Sequence, residues 1–173
     1  LHTRRNMIEE AYRTGVPMGS DLPTPPSDGA TPRFVVWATK DATSANLQKI
    51  QIVKGWVDAD GETSEQVFDA VCADGLEPDD RTHRCADNGA RVNLFDCSYS
   101  SNLGSPELST TWTDPNFDPS QRAFYYVRVL ENPTCRWTTH RALATGDVRP
   151  DNVPDTIKER AWSSPIWYTP AGE

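Results

Sequence analysis

Little in this chain suits a membrane, a nucleic acid or a familiar catalytic motif. No run of about 18 apolar residues occurs, the length a spanning helix needs. Positive charge is scarce: 17 Lys and Arg against 25 Asp and Glu leave a formal charge of −8. Phosphate binding needs a concentrated basic surface, and the one basic cluster, Arg4 and Arg5, is too small to supply it. The histidines, His2, His83 and His140, are scattered, with no H-x-H pair and no second His at metal-ligand spacing. A G-x-S-x-G elbow and a Walker loop are both missing, so no complete catalytic set can be assembled. Internal repeats and low-complexity tracts are absent too. Leu1 is followed by no signal-like apolar segment, which reads as a mature or excised piece.

What is present is a loop-rich globular composition, 36% apolar, with 14 prolines to 10 glycines. A chain of 173 residues suffices for one domain with ordered arms. The opening stretch carries a helix pattern: Asn6 as cap, Glu9 answering it, Ile8, Ala11 and Tyr12 on one face, and Gly15 as a left-handed terminator. "GVPMGSDLPTPPSDGATP" then reads as a Pro-rich arm, which places residues 1–32 outside the main domain.

From residue 33 the period changes to two. "RFVVWATK" alternates with apolar residues on both faces, which predicts a strand covered on both sides. "KIQIVKGWV" and "EQVFDAVC" flank "DADGE", whose Asp-Gly is a hairpin turn and whose glycine comes too early for a calcium loop. "ARVNLFDC", "ELSTTW", "AFYYVRVL" and "SPIWY" read as further strands, and "PDTIKERAW" as a short helix. The strongest strands are expected near 33–40, 48–57, 64–72 and 122–131. The fold class is mainly β: an antiparallel β-sandwich over residues 33–173 with one or two short helices.

The cysteines, Cys72, Cys85, Cys97 and Cys135, permit three pairings if all are bridged. Their spacing lacks C-x-x-C, which leaves zinc a weak reading, with buried thiols as another. An even count among polar loops favours disulfides in an oxidising compartment. The expected pairs are Cys72–Cys85, closing the loop "ADGLEPDDRTHR", and Cys97–Cys135, tying two strand ends. On the strand-like sequence "AFYYVRVL", Arg128 among aromatics calls for stacking plus a carboxylate, or for an edge position. In "NPTCRWTTH", Pro133 ends the strand, and Arg136, Trp137 and His140 form either a packed corner or a surface for an anion or a sugar ring.

"LQKIQIVKGWVDADGET", "TDPNFDPSQRAFYYVRVLENPTCRWTT" and "IKERAWSSPIWYTP" resemble the carboxy-terminal part of the domain-of-unknown-function 3604 family, from "GVPMGSDLP" to the end. The resemblance implies an exported bacterial protein, periplasmic or secreted, with a longer parent. The parent's amino-terminal part is similar to metal-dependent hydrolases of the polymerase-and-histidinol-phosphatase type, whose His, Asp and Glu ligands hold two or three metal ions. None of those ligand motifs falls on this chain, so no catalytic or metal residue is assigned to it, and divalent metal is expected only in the missing catalytic half. A strand that usually precedes "GVPMG" is absent or replaced by "LHTRRNMIEEAYRT". The resemblance thus implies an accessory sandwich whose partner is the amino-terminal catalytic domain, with Arg136 and Trp137 pointing toward it. The other expectation is a non-catalytic module holding a glycan or anion with the same two residues.

Overall fold

Alternation in the sequence becomes two facing antiparallel sheets, beside a separate short two-stranded pair, in the computed structural model, which describes residues 5–25 and 29–170. His2 and Arg4 lie outside the described residues. In chain order the elements are α1 (Met7–Thr14), β1 (Arg33–Thr39), β2 (Leu47–Val57), β3 (Thr63–Cys72), β4 (Glu107–Thr113) and β5 (Arg122–Glu131). They continue with β6 (Thr134–Cys135), α2 (Trp137–Thr145), β7 (Thr156–Ile157), β8 (Arg160–Trp162) and β9 (Ile166–Tyr168). The four strands expected to be strongest are β1, β2, β3 and β5.

The larger sheet runs β3-β2-β5, and β5's far edge pairs with β8 and then β9. Ser163 bridges the gap between those two short strands: its amide donates to the Val127 carbonyl and its hydroxyl accepts from the Val127 amide. The smaller sheet is β1 with β4. The two face one another in sandwich fashion, Phe34, Val36 and Leu108 of the small sheet against Ile50, Ile52 and Tyr125 of the large one. Phe34 meets Tyr125 with ring centroids 4.6 Å apart, and Phe68 meets Trp112 at 5.0 Å. The β2–β3 hairpin turns as expected at residues 58–62, where Asp58 Oδ1 accepts the amides of Asp60 and Glu62 and Gly61 takes φ +82°.

Several local readings are corrected. "PDTIKERAW" is not helical: β5 offers an open edge and β6 a partner, so its backbone groups are satisfied as β7 and β8. "ARVNLFDC" is a turn with a single bridge, Val92 to Tyr99, because Asn93 and Asp96 side chains bond the backbone just ahead. Cys97, at φ +60°, therefore sits in a loop and not at a strand end. Trp37 is exposed, so β1 is covered on one face only. Helix α1 forms, but Asn6 makes no side-chain cap and Gly15 is extended at φ −135°, not left-handed. Its apolar face buries no residue. The arm after it is stitched to the sheet, with Trp167 donating to Ser20 and accepting from Leu22.

Candidate functional site

Three places gather polar or aromatic side chains, and the strand register explains each. The first is a row across the outer face of the large sheet. Pairing sets Arg128, Gln51 and Asp69 side by side on β5, β2 and β3. Arg128 Nε donates to Gln51 Oε1 at 2.7 Å, and Gln51 Nε2 donates to Asp69 Oδ1 at 2.6 Å. Asp69 Oδ2 also accepts from Lys49 Nζ at 2.7 Å and from the Cys85 amide at 2.8 Å. Burial alone would raise the Asp69 carboxyl; the Lys49, Gln51 and Cys85 donors outweigh it and hold it below the ordinary aspartate range. A carboxylate so fully engaged is a structural anion. Arg128 meets the amide of Gln51 on an interior strand, which corrects the expected carboxylate or edge position.

The second place is the corner 133–140. Here the structure has a helix, α2, where the sequence suggested an irregular turn. The reason is tertiary. Arg136 and Thr139 donate from backbone and hydroxyl to the Asp155 carbonyl at 2.9 and 2.8 Å, which holds a first turn that has no side-chain cap. Gly146, left-handed at φ 75°, ends the helix. Both expected disulfides are present, Cys72–Cys85 and Cys97–Cys135, and the latter ties the loop before β4 to the entry of α2. Trp137 projects with 69% of its surface exposed, while Arg136 is half-buried. His140 is exposed on the helix. Its ring lies with Cys97 and Cys135 in the group whose donor atoms gather within 4.8 Å among the described residues. With both sulfurs joined, neither is a thiolate, and the trio offers one ligand and not three.

The third place was missed from sequence. Residues opposite one another share a face, so Trp167 stands beside Phe124, and Trp162 beside Arg128, on the outer side of the large sheet. Trp162 is 60% and Trp167 47% exposed. Phe124 and Tyr126 stack with planes 9° apart and centroids at 6.3 Å. Arg160, two pairs further along opposite Leu130, and Lys158 follow on. The signal was legible as Lys158, Arg160 and Trp162 alternating at period two, hidden by reading that stretch as a helix. Between the sheets, a half-open cleft of about 860 Å³ is bounded by the arm, β1 and β5, with Val16, Met18, Phe34 and Val127 among its lining.

Residues 1–170 match the family described as "Protein of unknown function (DUF3604)". Neither a curated protein nor a solved structure matches the chain.

Proposed function

The chain belongs to the DUF3604 family, and from that premise we propose that it is the accessory β-sandwich of a larger exported metal-dependent hydrolase. It docks on the catalytic domain through the corner that carries Trp137. The observation that carries this reading is Trp137 itself, a large ring held outward on a cross-linked support. Exposed aromatic anchors on rigid elements contribute strongly when a partner covers them, because little entropy remains to be lost. Among the described residues the Trp137 ring stacks on no other ring and stays outside the core cluster, so it is open to a partner. The metal ions and their ligands belong, in this reading, to the companion domain, and this chain contributes position, not chemistry.

Two disulfides fit an extracellular or periplasmic protein. No helix among the described residues is long and apolar enough to cross a membrane.

The test is to express the upstream catalytic part and this chain separately and measure their association and the turnover of the reconstituted pair. Trp137→Ala is expected to weaken association at least tenfold, about 1.4 kcal/mol, and to leave the chain's own melting temperature unchanged. Arg136→Ala should act in the same direction. If both variants melt several degrees lower while association per folded molecule is intact, the corner is packing and the reading is wrong.

A further inference from the structure

The outer face of the large sheet divides into a covered half and an open half. Over the covered half lies the long connection between β3 and β4, where Asn88 donates to Asn132 and Asp74 and accepts from Gln48. The open half is a strip. Phe124 and Arg128 lie on one side of β5 about 13 Å apart, from four residues at strand rise. Trp167 flanks the first and Trp162 the second. Cations continue the line. Arg160 is exposed and has no ion-pair partner among the described residues, and Lys158 donates to Gln48 Oε1 at 2.9 Å. Lys158 is made less basic by burial first; Asp87 opposes this, while Lys49, Arg91 and Arg160 add to it by repulsion. Lys158, Arg160 and Arg91 thus lie near one another, with Asp87 beside them, in a chain whose formal charge is −8.

We propose that this strip binds an acidic polysaccharide, one bearing uronate or sulfate groups. Flat faces of sugar rings stack on Trp162, Trp167 and Phe124, and the acidic groups pair with Arg160 and Lys158. The shape is linear, as an extended chain requires. The strip cations complement a polyanion that the chain's formal charge of −8 otherwise opposes, so binding depends on Arg160 and Lys158. A single-stranded nucleic acid shares the stacking and the charge, but the overall acidity and the two disulfides favour a ligand met outside the cytoplasm. The strip is distinct from the Trp137 corner, so this inference does not depend on the docking reading.

Native gels containing polygalacturonate, dextran sulfate or neutral dextran, with an oligo-dT titration beside them, decide it. Retardation is expected in at least one acidic polymer and not in neutral dextran. Trp162→Ala and Arg160→Ala should each weaken binding about tenfold, with melting temperatures unchanged and Trp137→Ala without effect. The two acidic polymers separate carboxylate from sulfate recognition. The proposal is overturned by the absence of retardation in both acidic gels, by equal retardation of the wild type and both strip variants, or by tighter binding of oligo-dT.

Discussion

Lys54 Nζ lies 2.7 Å from Asp114 Oδ2 inside the sandwich, with Lys54 3% and Asp114 1% exposed. Each charge is fully used: Lys54 also donates to the Asn116 carbonyl at 2.6 Å, and Asp114 Oδ2 accepts from the Tyr125 hydroxyl at 2.7 Å. Burial foremost, and then the Asp114 hydrogen bond and charge, push the Tyr125 phenol well up, so it stays a neutral donor. Lys54 therefore sits on the core side of β2 in a sheet otherwise packed with Ile and aromatic rings. Removing one partner strands the other.

Lys54→Met and Asp114→Asn are each expected to cost about 3–5 kcal/mol. The double replacement should cost clearly less than their sum, since the second change no longer orphans a charge. Denaturant melts of the three variants check this. Strict additivity would show that the pair does not couple.

Acid should release the polar row on the opposite face. The folded Asp69 carboxyl is held below its ordinary value, so its stabilisation is fully present above about pH 4. It is lost as pH falls through the lower folded value. Asp69→Asn is expected to melt below wild type at neutral pH, with the two curves converging as the pH drops below about 4. Melting temperature against pH between neutrality and strong acid is the measurement, and a constant gap across that range would contradict it.

The disulfides should contribute unequally. Cys72–Cys85 spans 13 residues and Cys97–Cys135 spans 38. Loop-closure entropy puts their contributions at about 3 and about 4 kcal/mol. Replacing Cys97 and Cys135 together by Ser should thus destabilise more than replacing Cys72 and Cys85. It should also loosen α2 and the loop that covers half the outer face. Hydrogen exchange of residues 137–145 reports that loosening.

How much of this was legible depended on whether the controlling contacts were local. Phe34, Val36, Ile50, Ile52 and Tyr125 alternate within their own strands, and period alone placed them in a core. The disulfide pairs were legible because the acidic loop closed by Cys72 and Cys85 is sequence-local. Helix α2 was not, since two β-branched threonines open it and its first turn depends on the Asp155 carbonyl. The segment 156–162 was misread because its partner edges, β6 and β5, lie far back along the chain. Asp69's donors come from Lys49, Gln51 and the Cys85 amide, which only strand register brings together.

Gly55 tests whether the aromatic strip is built into the sheet. It pairs with Phe124 across β2 and β5, and a Cβ placed there would lie 2.3 Å from Phe124 Cζ and 2.4 Å from Cε1. No side chain fits under that ring. The obstructing atoms are the end of a side chain that turns about χ1, so the strand survives and the ring moves. The ring in turn stacks on Tyr126 and lies 5.5 Å from Trp167. Gly55→Ala is therefore expected to cost about 1–3 kcal/mol as overpacking and to change the near-ultraviolet circular dichroism of the aromatic cluster. Adding Phe124→Ala removes the clash, so the double variant should be no less stable than Phe124→Ala alone. Were Gly55→Ala to cost as much without the ring as with it, the glycine would serve the backbone of β2 and not the platform above it.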